Sequence, residues 1–450
     1  MKLNPWFAEK LRGVDPKNLR VIVEVDPKHF NEAKIVLRRM GLPIISTSFS
    51  RFITVKVPDI STIEKIERLP YVIEIHYDMP KWIKPLFPFS LKMRDPLLGE
   101  IKISDVEIPG IPLITSPLPI PLRFVKRPDI EIIPTGISKR FVVDIDTPLT
   151  GRGVKVAVLD TGINPLHPQL IGERIEMYST VPEPPFEAQG HGDWCSMTVY
   201  GRPFKTRFGV VTGIAPNAKK MHVKCLTTAG FGTTTSVLKA MEIAYKRGAK
   251  IISMSLGGPQ QGPIDHDPEV KATKMLAEKG IIIVVAAGND GPSKWIISSP
   301  GVSPWVITVG SISIIDEGEV AWFSSRGPQG EWYKEHRSDF EEDYAKYGDL
   351  LLKPDVVAPG GGRARKTDTP DEVLYQGCTG WFDGYYDLAK DGFEGMHGTS
   401  QATPHVSGLL ALLAEAYPGI TVGMVKRVLR RRDKDVEKGW GIIKLSMFVR

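Results

Sequence analysis

Five short runs constrain this chain more than any other feature. "VKVAVLD" (154–160), "KKMHVKCL" (219–226), "KIISMSL" (250–256), "GIIIVVAAG" (280–288) and "WVITVGSI" (305–312) carry apolar residues on both faces of a strand. A strand with one wet face would instead alternate apolar with polar. Helical stretches such as "TTTSVLKAMEIAYKRG" (233–248) and "DPEVKATKMLAEKG" (267–280) lie between them. Buried strands alternating with helices predict an α/β domain of three layers, with a mainly parallel central sheet, over residues 135–450. In such a sheet, functional groups gather beyond the carboxyl ends of the strands.

The chain ahead of this region has two parts. Between residues 20 and 78, "RVIVEV", "PKHFNEAKIVLRRMG", "LPIISTSF", "RFITVKV", "DISTIEKIERLP" and "YVIEIHY" read as strand, helix, strand, strand, helix, strand. That is the split βαβ order of a ferredoxin-like α+β domain, expected over residues 1–78. Residues 79–134 include eleven prolines, and "IPGIPLITSPLPIPL" (108–122) excludes both a helix and a central strand. An extended connector is expected there, lying along a surface because so many of its residues are apolar.

Composition removes several classes of function. The three cysteines, Cys195, Cys225 and Cys378, have no C-x-x-C spacing, so neither a disulfide framework nor a zinc site is expected. Net charge is +6, and the densest basic stretch, "KRVLRRRDKD" (426–435), includes acids and reads as a solvated helix face. Nucleic acid is therefore not an expected partner. The N-terminus has no apolar signal core, and no run of about 18 apolar residues could span a membrane. A cytoplasmic location is expected.

Four residues could carry chemistry. Asp160 ends "VKVAVLD" ahead of a Gly turn, and His191 sits between glycines in "GHGDWCSMTVYG". Asn289 ends an apolar strand before "DGP", and Ser400 lies in "GMHGTSQATPH" (395–405). Each has an ordinary alternative: a turn, a surface histidine, an Asn-Asp-Gly turn, and a helix N-cap with Pro404 in the first turn. A serine nucleophile requires a histidine base and a carboxylate brought to the same place, which is what the set of four supplies.

In order along the chain, "VAVLDTGINPLHPQL", "GHGDWCSMTVYG", "VTGIAPNAKKMHVKCL", "IISMSLGG", "VVAAGNDGP", "WVITVGSI", "FSSRGP", "KPDVVAPG" and "GTSQATPHVSGLLALL" resemble the signature segments of the subtilisin-like serine proteases, over about residues 130–450. The resemblance implies a serine endopeptidase acting on polypeptides. In it Ser400 is the nucleophile, His191 the base, Asp160 the residue that orients the imidazole, and Asn289 a donor to the oxyanion. It implies that Gly230, Phe231 and Gly232 form one edge of a substrate cleft, and that Ser255, Leu256, Gly257 and Gly258 form the other, pairing with an extended peptide through the backbone.

Departures from the family pattern carry their own expectations. Asp193 and Trp194 replace a frequent Thr-His pair and should make the rim beside His191 bulkier. Cys195, four residues after His191 and so on the same helical face, resembles the thiol-containing subset, in which a cysteine lies beneath the catalytic histidine. Gln169 stands where many secreted members have a calcium-binding Asp. No metal or other cofactor is expected to be required; calcium has no identifiable site, and the acidic stretches 339–343 and 383–391 should be solvated loops. By the same resemblance the ferredoxin-like module is an inhibitory propeptide, an intramolecular partner whose "EIHYDM" segment, around Tyr77 and Asp78, should reach the cleft until self-cleavage. Two alternatives remain: a pseudoprotease, and a partner-binding protein that uses the fold only for self-processing.

Overall fold

The structure is a computed structural model and describes residues 2–12, 17–83, 92–95, 99–102, 130–368, 371–387 and 389–449. Its N-terminal module comprises β1 (Leu19–Val25), α1 (Phe30–Arg39), β2 (Ile44–Ser48), β3 (Phe52–Val57), α2 (Ile60–Glu67) and β4 (Val72–Tyr77). The sheet order is β2-β3-β1-β4, antiparallel throughout, as a ferredoxin-like chain requires. In β1, Val21, Val23 and Val25 face the module's own core with Leu37, Ile63 and Ile66, whereas Ile22 turns to the opposite face and packs with Val237 and Met241 of the large domain. A strand buried on both faces has no reason to alternate, which explains the unbroken "VIV".

After a short strand β5 (Pro80–Trp82), the large domain is built on seven parallel strands: β6 (Lys155–Asp160), β7 (Ile175–Ser179), β8 (Lys219–Lys224), β10 (Ile251–Met254), β11 (Ile282–Ala286), β12 (Ile307–Ile312) and β13 (Val356–Pro359). Between β8 and β10 lies the three-residue strand β9 (Phe231–Thr233), which belongs to a separate two-stranded pairing with β5. The sheet runs β7-β8-β6-β10-β11-β12-β13, so the chain reverses its direction of growth beside β6. Such a switch point opens a crevice at the strands' carboxyl ends.

Helices α3 (His191–Tyr200) and α6 (Thr399–Ala416) cover one face of the sheet, and α4 (Thr234–Lys246) and α5 (Pro268–Glu278) the other. Val156 and Val158 of β6 pack with Leu409 and Leu410 of α6, while Ala157 and Leu159 pack with Val237 and Leu238 of α4. Two-sided burial is thus the physical content of the five apolar runs. The N-terminal module docks its open sheet face on α4 and α5, where Thr54 Oγ1 meets Thr235 Oγ1 at 2.8 Å and Lys239 Nζ donates to the Thr47 carbonyl at 3.1 Å.

Three expectations change. Residues 339–343 belong to a helix, Arg337–Tyr347, and Asp343 is buried against the Tyr333 hydroxyl. The basic stretch is only half solvated: Lys426 on the helix Val422–Leu429 is buried, and both it and Lys434 bond to the buried Asp355, 3.2 and 3.0 Å away. Of the connector, the structure describes Pro80–Trp82, a hairpin of Lys92–Asp95 with Gly99–Lys102, and Ile130–Pro134 lying parallel to Asp371–Gly377; the segment 108–122 lies outside the described residues. No helix among the described residues is long and apolar enough to cross a membrane.

Candidate active site

Asp160 is the last residue of β6, fully buried at the switch point, and its Oδ1 accepts the Thr161 N–H at 2.8 Å. His191 opens α3. Its Nδ1 lies 2.8 Å from Asp160 Oδ1, and both side chains are closed to solvent. This approach depends on Gly192, where a Cβ would strike the Gly162 carbonyl oxygen at 2.2 Å, so the start of the helix can lie against the Asp-Thr-Gly turn only without a side chain. Glu187 secures the same junction, its Oε2 accepting from Thr161 Oγ1 at 2.7 Å and from the Gly192 N–H at 2.8 Å. Sequence reasoning missed Glu187. Its signal was an acidic residue just ahead of a helix N-terminus.

The pair is electrostatically coupled. Burial would push the Asp160 carboxyl up, but the charge and hydrogen bond of His191 outweigh it and hold the group below the usual range. Burial likewise disfavours a charged His191, yet Asp160, and secondarily Cys195, raise its pKa well above the ordinary value. The neighbouring His222, bonded to Ser196 Oγ at 3.0 Å, is pushed down to about 3 by burial and stays neutral.

Ser400 is the second residue of α6 and not its cap; Gly398 holds that position. Pro404 therefore falls beyond the first turn, and its missing N–H leaves the Ser400 carbonyl without a helical donor. Two groups take its place. Ser255 Oγ donates to that carbonyl at 2.8 Å, and Cys195 Sγ lies 3.6 Å from it. Cys195 Sγ is also 3.9 Å from His191 Nδ1, so the thiol sits beneath the imidazole and ties α3 to α6. Ser400 Oγ donates to the Ser255 carbonyl at 3.2 Å; among the described residues this, and not a bond to His191, is its hydrogen bond. Asn289 follows β11. Its Oδ1 accepts from Thr399 N at 2.9 Å and Thr399 Oγ1 at 2.8 Å, which turns Nδ2 toward Gly398 at the start of the serine's helix.

The two expected edges face each other, and the chain itself lies between them. Strand β5 pairs antiparallel with β9, Lys81 opposite Gly232 and Trp82 opposite Phe231. On its other side, the Trp82 N–H donates to the Gly257 carbonyl at 3.1 Å, and the Gly257 N–H donates to the Trp82 carbonyl at 3.2 Å. The Ile83 N–H reaches the Gly230 carbonyl at 3.2 Å. A pocket walled by Leu256, Gly257, Ala286 and Gly288 opens beside Trp82, with Asn289 and Ser400 at its mouth. Tyr77 and Asp78 do not reach this cleft. Asp78 Oδ1 instead accepts the Thr235 N–H at 2.8 Å in the first turn of α4, and Arg20 lies 2.7 Å from its other oxygen. The entering segment starts only at Pro80.

The rim beside His191 is not built from Asp193 and Trp194. Both are buried: Trp194 packs among Ile133, Val373 and Phe382 with its Nε1 on the Glu394 carbonyl at 3.2 Å, and Asp193 accepts from the Asn164 N–H at 2.6 Å and from Thr379 Oγ1. Gln169 is buried with Nε2 on the Arg202 carbonyl at 3.0 Å. Among the described residues, two clusters have donor sets a metal ion could use. In Asp160, His191 and Cys195, the Asp–His hydrogen bond occupies the facing atoms; in Glu24, Glu74 and His76, Lys271 Nζ already lies 2.6 Å from both carboxylates.

A buried Asp–His pair on a wholly parallel sheet, a serine at a helix N-terminus and two peptide-pairing edges define a class, the subtilisin-like α/β proteins. The Subtilase family model matches residues 151–441, and the chain belongs to that family of serine proteases. Serine protease AprX of Bacillus subtilis (strain 168) is 35% identical over 301 residues, 63% of this chain and 61% of that protein. Pyrolysin of Pyrococcus furiosus is 34% identical over 257 residues, 49% of this chain, and the chain spans only 16% of its length. Among solved structures, sphericase superposes with a TM-score of 0.52 at 26% identity, covering 68% of this chain and 97% of its own. Fervidolysin from Fervidobacterium pennivorans, at 18% identity, shares the fold over 98% of this chain with a TM-score of 0.62 and 62% of its own chain covered.

Proposed function

We propose that this chain is a serine endopeptidase held as a self-inhibited precursor. Ser400 Oγ attacks the scissile carbonyl, His191 takes its proton and returns it to the leaving amine, and Asp160 fixes the imidazole tautomer and stabilises its positive charge. Asn289 Nδ2 and the Ser400 N–H receive the oxyanion. Gly230–Gly232 and Ser255–Gly258 hold the polypeptide in extended form. The observation that carries this reading is the 2.8 Å Asp160–His191 bond beside a cleft whose two edges already hold a peptide strand.

That strand, residues 80–83, is the chain's own, which supports the module as an inhibitor that occupies the cleft as substrate would. A pseudoprotease has no need of a coupled Asp–His pair with Ser400 and Asn289 beside it, and the reading as a partner-binding scaffold is not favoured. The test is intact mass over time for the parent and for Ser400→Ala, with an unstructured protein as substrate. Loss of an N-terminal fragment followed by substrate cleavage in the parent alone supports the proposal; cleavage that persists in Ser400→Ala overturns it.

A further inference from the structure

The cleft also carries a buried acidic side chain that neither the triad nor the module's fold uses. Glu269, in the first turn of α5, has a fully buried side chain, and Lys81 Nζ, fully buried as well, lies 2.5 Å from its Oε2. Its surroundings offer little else. Asp267 caps α5 with one oxygen, accepting from the Glu269 and Val270 N–H groups, while its other oxygen takes Ser299 Oγ at 2.8 Å and the Gln261 N–H at 3.1 Å. Ser299 Oγ is 3.4 Å from Glu269 Oε2, and Glu269 Oε1 meets no hydrogen-bond partner. Gly258 leaves the way open: a Cβ there would stand 2.9 Å from Lys81 Cδ and 2.9 Å from the Pro80 carbonyl oxygen.

We infer that Glu269 is the base of a specificity subsite that selects lysine or arginine at the fourth residue on the amino side of the cleaved bond. The register supplies the count. Trp82 pairs with Gly257, so a substrate held in that antiparallel register sets the residue two further on opposite Ser255, whose carbonyl accepts Ser400 Oγ at 3.2 Å. Counted back from that acyl position, Lys81 is the fourth residue. A substrate that displaces the strand either brings a cation to Glu269 or leaves a buried carboxyl, already pushed up to about 7 by burial, to take a proton with no partner for it, and a buried polar group without its partner is costly. The inference rests on residues 80–83 standing in for substrate.

The experiment measures kcat/KM for the purified protein, incubated until its peptidase activity is constant, on peptides identical except for Lys, Leu or Glu at that fourth position. Lys is expected to exceed Leu by about tenfold or more, with Glu lowest. Glu269→Gln should bring the Lys-to-Leu ratio close to one and Glu269→Asp should retain it. A parent ratio below about threefold, or a ratio that survives Glu269→Gln, overturns the subsite; should Glu269→Gln not fold, the parent series alone decides. Uniform cleavage of all three peptides refutes the subsite while leaving the protease reading intact. Equal cleavage by Ser400→Ala refutes both.

Discussion

Lys271→Met tests whether the N-terminal module is held by charge. Lys271 projects from α5 between two module strands, 2.6 Å from Glu24 Oε2 on β1 and 2.6 Å from Glu74 Oε2 on β4. Glu24 is fully buried and Glu74 nearly so, so removing the shared cation strands two carboxylates. Truncating one partner of such a set costs about 2–5 kcal/mol. Arg51 stays 2.5 Å from Glu24 and His266 stays 2.8 Å from Glu74, which favours the lower figure. About 2 kcal/mol corresponds to about a 30-fold larger undocked population. The assay uses the full chain carrying Ser400→Ala, so that nothing digests itself, and follows removal of the module by a trace of added thermolysin. When reclosing outpaces cleavage, that rate tracks the open population and should rise about 30-fold. Lys271→Arg should remain within about threefold of the parent. A change under about threefold for Lys271→Met, or equal loosening of sites throughout the large domain, refutes charge as what holds the module.

Acid should act on the same contact. The Glu24 carboxyl, disfavoured by burial but held far below its ordinary value by His76 and Lys271, contributes docking in full above the unfolded glutamate pKa of about 4.3, and this is lost as pH falls below it; module release by added protease should accelerate in that window, and again above about pH 6.5 as His266, whose pKa the Glu74 hydrogen bond raises, loses its proton. Activity should climb with pH along a limb above the ordinary histidine pKa of about 6.5, because a raised His191 pKa keeps the base protonated, and Asp160→Asn should move that limb down in a kcat/KM profile. Asn289→Ala should lower kcat by about 10² to 10³ with little change in KM, a magnitude measured in subtilisin itself, the type member of this family. A small mercurial should abolish peptidase activity by placing its bulk between His191 and the Ser400 carbonyl, and Cys195→Ala should be active and resistant; inhibition that persists in Cys195→Ala assigns it to Cys225 or Cys378.

What could be read in advance follows from how each residue is recognised. The β6 run was legible because two-sided burial writes itself as unbroken hydrophobicity, and Asp160 followed because it ends that run. The Ser400 region was half legible: residue type favours a serine at an N-cap, but the cap falls two residues earlier, at Gly398, and the consequence of Pro404 depends on a carbonyl that Ser255 and Cys195, from other elements, satisfy. Trp194 was misassigned because its position beside His191 says nothing about which way α3 turns it, and burial of the indole with a partner for its N–H outweighs any role on the rim.

The strand in the cleft was the least legible feature, for a reason that bears on its use. Pro80, Lys81 and Trp82 show no strand pattern, because their pairing with Gly232, Phe231 and Gly257 is made by backbone groups that every residue carries. An edge of this kind accepts any extended sequence, so it confers affinity without choice. Choice has to come from side chains that meet buried groups, and along residues 80–83 the one charged group that does so is Lys81 on Glu269. That pairing joins two residues remote in sequence, neither in a motif, and it becomes visible only once the strand is threaded. The same feature that hid the strand, its indifference to sequence, is why the subsite inferred at Glu269, together with the pocket beside Trp82, is where this cleft would tell one peptide from another.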